Sequence, residues 1–179
     1  MCIRDSDKTS IIGSNDYKLL AILNSRLIDY FIHSIASTKA NGYYEYKPMY
    51  ISQIPISLEL KNLAIEEMVK LIVNNKKEKK VIVNKLVRQL TRKFKIEKIP
   101  RNLQNWHILT FDEFTKELKK KKIKLGLSEE AEWEDYFEAE KAKAQTIQSE
   151  IDKTDREIDK MVYELYGLTE EEIKIVEGN

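Results

Sequence analysis

The sequence predicts an α+β chain that is mostly α: a small mixed α/β head joined to a helical arm with one long C-terminal coiled-coil-like helix. Three observations carry that expectation. Apolar residues recur at three- and four-residue steps over most of a chain that holds only 5 Gly and 3 Pro. One stretch, GYYEYKPMYISQIPI (42–56), is instead rich in aromatic and β-branched residues. From Trp133 to Leu165, ten positions alternate in steps of four and three without a break.

Taken in order, residues 1–9 read as a disordered or artefactual N-terminus. Met1–Ser6 resembles translated sequencing-adapter sequence at the head of a contig, which would make the chain the tail of a longer protein. The head spans 10–56. Asp16 can cap a helix carrying Leu20, Leu23, Leu27, Tyr30, Phe31 and Ile35, which stops near Ser37–Gly42. Residues 42–56 then read as short strand pieces, with Pro48 and Pro55 at edges or ends because proline cannot donate to a ladder.

A helical region with a basic helix follows over 57–127. One helix is expected at 58–74, built on Leu60, Leu63, Ile65, Met68, Leu71 and Ile72. The polar run NNKKEKK (74–80) interrupts it, and a second helix at 79–95 carries Val81, Val83, Leu86, Leu90 and Phe94. After a loop marked by Pro100 and Asn102, Trp106–Leu109 reads as a short strand. Thr110 with Glu113 forms a capping box for a helix over 111–121.

Residues 128–179 hold the long acidic helix and a short terminal one. The stepping positions are Trp133, Phe137, Glu140, Ala144, Ile147, Ile151, Thr154, Ile158, Met161 and Leu165. They imply a helix of about 38 residues, roughly 57 Å long. Such a helix cannot bury its own stripe, so 58–74 and 79–95 are expected antiparallel beside it. Gly167 suits its C-cap, and Thr169 with Glu172 caps the last helix.

Composition narrows function. No apolar run reaches the roughly 20 residues of a membrane span, so a soluble chain is expected, and the low cysteine count fits a reducing cytoplasm. One cysteine rules out a disulfide framework and a cysteine-rich zinc site. No Gly-x-Gly loop follows a strand, and His33 and His107 have no metal-spacing partners, so both histidines read as packed or solvated. The paired acids after residue 128 line the outside of a helix. No catalytic, cofactor or metal residue is assigned.

Net charge is +1, but residues 76–101 hold 11 basic and 2 acidic groups, while 128–179 hold 6 and 17. A local cationic field attracts a polyanion whatever the total. Lys85, Arg88, Arg92 and Lys95 fall at helical steps and would share one face for phosphates. The same cations could instead pair with the acidic helix. A second candidate is the turn carrying Lys39, Asn41, Tyr43, Tyr44, Tyr46 and Lys47, whose side chains could address base edges or phosphates. The lysine run Lys119–Lys122 is weaker.

The order LLAILNSRLIDYFI (19–32), then GYYEYKPMYISQIPI (42–56), resembles the C-terminal half of target-recognition domains in TaqI-like adenine-specific DNA methyltransferases and restriction–modification enzymes. Leu-Asn-Ser at 23–25, the aromatic stretch and Ile54-Pro55-Ile56 carry it, and EIDKMVYELYGLTEEEIKIVEG (157–178) looks like the ending common in that group. The resemblance implies a specificity segment that reads double-stranded DNA for an N-terminal methyltransferase domain, absent here. That domain would bind S-adenosylmethionine, carry an Asn-Pro-Pro-aromatic loop, and flip an adenine to methylate its amino group. This chain has no such loop. Similar spacing occurs in type I restriction specificity subunits, which is the first alternative; a helical protein-interaction module is the second.

Overall fold

The computed structural model describes residues 14–38, 42–57 and 63–178. The chain divides into two compact units, Met1–Ile72 with Lys153–Asn179, and Val73–Asp152. The long helices α4 (Leu63–Phe94) and α7 (Leu127–Tyr166) contribute residues to each. None of the helices is long and apolar enough to cross a membrane, among the described residues.

In the first unit, the helix expected from Asp16 is two helices, α1 (Tyr17–Asn24) and α2 (Arg26–Ile35). Asp16 caps α1 as expected, accepting from the Lys18 and Leu19 amides. The break is Ser25, which is 2% exposed. Its hydroxyl donates to the Ile22 carbonyl at 2.7 Å and accepts from the Ile28 amide at 3.4 Å. It thus closes α1 and caps α2. Serine competes with the helical backbone in this way wherever its extended φ/ψ is accommodated.

The strand pieces expected over 42–56 do not form. Among the described residues there is one isolated antiparallel bridge, Thr38 to Tyr44, and no strand, so the head is helical and not mixed α/β. Pro48 is the reason for part of this: it opens a helical turn, α3 (Pro48–Ile51), at the position where its fixed φ and missing N–H cost nothing. Ile22, Ile28 and Ile32 form the local core, with Tyr46, Tyr50 and Ile54 against it. Tyr166, at the end of α7, donates to the Pro55 carbonyl and accepts from the Ser57 amide. The last helix, α8 (Glu170–Glu177), packs on α2 and carries the expected Thr169–Glu172 capping box. Gly167, just past α7, takes the left-handed conformation its place requires (φ +66).

The two helices expected at 58–74 and 79–95 are, from Leu63 onward, a single one; residues 58–62 lie outside the described set. The run 74–80 contains no Gly or Pro, and its Asn and Lys residues cost a helix only tenths of a kcal/mol each, about 0.7 at most. Within the second unit α4 also gains partners on α7, two of them from that run. Asn75 reaches Glu150, Lys79 reaches Gln148, and Lys85 reaches Glu140. One number falls as the other rises, so the two helices run antiparallel here, as expected.

The remainder of the second unit is α5 (Arg101–Gln104), a 3-10 turn at Trp106–Ile108 where a strand was expected, and α6 (Phe111–Lys120) with the expected Thr110–Glu113 capping box. Phe137 is fully buried among Trp106 (5.3 Å between ring centroids), Phe111 (5.5 Å) and Phe114 (4.9 Å). The Trp106 indole donates to the Val83 carbonyl at 3.0 Å, so burying this ring does not strand its N–H. Along α7, eight of the ten stepping positions are buried, including both polar ones; Met161 and Leu165 yield to Val162 and Tyr163.

Replacing Phe137 with Ala should cost about 3–5 kcal/mol in urea unfolding, since it empties the centre of an aromatic cluster. Ser25→Ala should cost about 1–2 kcal/mol by removing the cap of α2. A loss under about 1 kcal/mol for Phe137→Ala would contradict this account of the core.

Candidate nucleic-acid interface

Two separate sets of residues compose the candidate interface, one in each unit. In the first, Lys39 and Asn41 lie outside the described residues. Gly42 turns the chain with φ +76, a backbone that side chains rarely tolerate. The segment then runs along α2, with the Glu45 amide donating to the Ser37 carbonyl at 3.1 Å. The Tyr44 ring stacks on the His33 imidazole, 3.9 Å between centroids and 20° from parallel. The Tyr46 hydroxyl donates to Asp29 Oδ1 at 2.8 Å and lies 3.4 Å from His33 Nε2. Burial first, then the bond to Asp29 and its charge, hold the Tyr46 phenol well above its usual pKa. These two tyrosines are therefore engaged with the protein. Tyr43, 72% exposed, is not, and the half-exposed Lys47 pairs with Glu45.

Asp29 and His33 were not among the expected site residues. Their i, i+4 spacing, and the 3.5 Å between His33 Nε2 and Asp29 Oδ1, put them together on the flank of α2 beside its buried Ile28 and Ile32. The spacing was visible in the sequence, but the tyrosines that meet it are not neighbours in sequence. Asp29 and Tyr46 also line a cleft of about 260 Å³ that includes Ile28, Ile32, Ile51 and Ile54.

Beneath α2, Asp159 of α7 accepts from the Arg26 amide at 2.9 Å, with the Arg26 Nε at 3.5 Å. The Leu-Asn-Ser motif thus has a backbone role: it starts α2, whose first amide is then met by a buried carboxylate. Burial pushes the Asp159 carboxyl above the usual range. The Arg26 amide and guanidinium oppose that, while Asp155 and Glu177 add to it. Neighbouring Tyr163 is lifted to about 12 by burial and then by Asp159.

In the second unit the expected basic face separates into parts. Lys85 is held by Glu140 at 3.4 Å and lies over the Tyr136 ring; Tyr136 first and Glu140 second keep its ammonium above the usual pKa. Lys93 pairs with Glu129 at 3.1 Å. Lys95 is not on the shared helical face at all, because α4 ends at Phe94 and Lys95 is left-handed (φ 50). Arg88, Arg92, Lys76, Lys77 and Lys80 are exposed and have no acidic partner among the described residues. Lys77, Val81, Asn84, Arg88 and Arg92 step by four, three, four and four, so they form one outward stripe. His107 sits apart: burial, then Lys79, holds it below the usual pKa, and its Nδ1 is buried without a hydrogen-bond partner.

A family model described as a domain of unknown function (DUF8810) matches residues 59–162, and one described as a TaqI-like C-terminal specificity domain matches residues 1–56. No curated protein and no solved structure matches the chain.

The Asp159 geometry gives a pH dependence with a definite sign. A carboxyl whose folded pKa is raised binds its proton more readily when folded. Its contribution to stability is complete below the unfolded value, near 4, and is lost as pH rises through the folded value. Asp159→Asn keeps an acceptor for the Arg26 amide and removes the charge. It should flatten the decline in urea midpoint as pH is raised from about 4 towards neutrality. Identical profiles for the two proteins would count against a raised Asp159.

Proposed function

From a chain that belongs to the DUF8810 family and opens with a segment matching a TaqI-like C-terminal specificity domain, we propose a DNA-recognition module of a restriction–modification enzyme. The observation that supports this best is local: the matched segment holds Tyr44 and Tyr46 against α2 while Tyr43 stays exposed. A loop with one exposed aromatic and nearby polar groups suits contact with base edges or an unstacked step. Lys39 and Asn41 extend the same loop in sequence.

The outward stripe of α4 supplies the second ingredient. Arg88 and Arg92, with Lys76, Lys77 and Lys80, are available to neutralise phosphates and release counterions, a source of affinity that carries no sequence information. Lys85 contributes less to it, since Glu140 already holds that ammonium.

The reaction served would be adenine-N6 methylation of double-stranded DNA. Its catalytic domain would be supplied by the same gene upstream or by a partner polypeptide. S-adenosylmethionine belongs to that catalytic domain in this proposal, and no chemical step is assigned to the residues of this chain.

The 179-residue chain should bind duplex DNA with an affinity that falls steeply between about 50 and about 200 mM salt. Arg88→Ala with Arg92→Ala should weaken binding to every duplex alike and reduce the salt slope by about one for each phosphate no longer neutralised, whereas Lys85→Ala should leave the slope near that of the parent. Fluorescence anisotropy across a salt series measures both. A folded chain that shows no salt-dependent retention on duplex DNA ends the proposal.

A further inference from the structure

The exposed side of α2 does something that neither family match describes. We propose that Asp29 and His33 are positioning residues: they clamp the tyrosine segment 42–47 so that Tyr43 is presented to DNA in one conformation. The inference rests on the DNA-recognition reading and deepens it by naming what sets the loop.

Three contacts converge on those two side chains. His33 offers its ring face to Tyr44 at 3.9 Å, Asp29 accepts from the Tyr46 hydroxyl at 2.8 Å, and Asp29 and His33 meet at 3.5 Å. Tyr44 and Tyr46 are two residues apart, the period at which an extended backbone points side chains to one side. Tyr43, which precedes them, is exposed. The backbone bridge Thr38 to Tyr44, closed by the Glu45–Ser37 hydrogen bond, also holds this segment, and Lys47 pairs with Glu45. No strand ladder forms there among the described residues. Side chains of α2 are therefore a large part of what fixes Tyr44 and Tyr46.

Such a clamp acts on discrimination more than on raw affinity. A loop already ordered pays no further ordering entropy on reaching its site, and a loop released from its clamp pays it only for contacts that need a fixed geometry. Phosphate contacts from the α4 stripe need no such geometry. Loss of the clamp should therefore spare binding to any duplex and erode preference among duplexes.

The experiment uses the 179-residue chain and a library of duplexes with a randomised centre, from which a preferred duplex is selected and compared with a scrambled one. Asp29→Ala and His33→Ala should each lower the ratio of the two affinities by about tenfold, with binding to the scrambled duplex retained. Asp29→Asn, whose carbonyl can still accept from Tyr46, and His33→Phe, whose ring can still stack on Tyr44, should keep the ratio within about threefold of the parent. Amide hydrogen exchange over 43–47, read without DNA, should quicken in the two alanine variants and stay slow in the two conservative ones. If the parent chain selects no sequence, the DNA-recognition reading itself fails. If it does select, and the alanine variants discriminate as well as the parent or the conservative variants fare as badly as alanine, the clamp alone is overturned. An alanine variant that unfolds leaves the decision to His33→Phe and Asp29→Asn: unchanged exchange and ratio support the clamp, and loss of either refutes it.

Discussion

Ser25 uses one buried hydroxyl at two helix ends, and the candidate reading surface depends on the direction this gives to α2. Because α2 starts at Arg26 and not as a continuation of α1, Ile28 and Ile32 turn into the local core while Asp29 and His33 stand on the flank beside it. The Arg26 amide, exposed as a free donor by this new start, is met by Asp159. A helix start carries partial positive charge, so a carboxylate there is favourable even though burial opposes its ionisation. The two effects compete within one side chain, which is why the Asp159 carboxyl is a pH-sensitive support and not a fixed one.

What the sequence made legible was what depends on near neighbours in the chain. The capping boxes at Thr110–Glu113 and Thr169–Glu172 formed as expected, because each is closed by residues three apart. The long helix was legible for a related reason: a stripe repeated over ten positions outweighs two polar interruptions. Those interruptions are themselves buried, Glu140 between Lys85 and Lys143. Local signals failed where a distant partner decides. The residues of 42–56 have strand propensity, but a strand needs a second strand to pair with, and the segment instead finds the side chains of α2. The run 74–80 looked like a break because its polarity was read without the polar residues of α7 that face it.

His33 shows the same limit at a single residue. On a helix flank, with no metal-spacing partner, it had every mark of a solvated or packed histidine, and packed it is. What it packs against is a ring from the loop carrying the expected DNA contacts, eleven residues away. The expected residues of that loop also divide in a way no composition could reveal. Tyr44 and Tyr46 face the protein and Tyr43 does not, so three similar side chains have two different roles.

The basic run poses the converse problem, since its charge was evident and its use was not. Counting charges along 76–101 treats every cation alike, whereas the use of each depends on what faces it. Helical angle alone does not separate them: at about 100° per residue, Lys85 and Arg92 stand only about 20° from one another, both well away from the stripe marked by Leu86 and Leu90. Position along the helix axis does separate them. Lys85 lies where Glu140 of α7 comes within 3.4 Å. Arg88 and Arg92 have no acidic partner among the described residues. In the DNA-recognition proposal, intramolecular pairing and phosphate contact therefore divide one face along its length: Glu140 holds Lys85, and Arg88 and Arg92 are left for the partner.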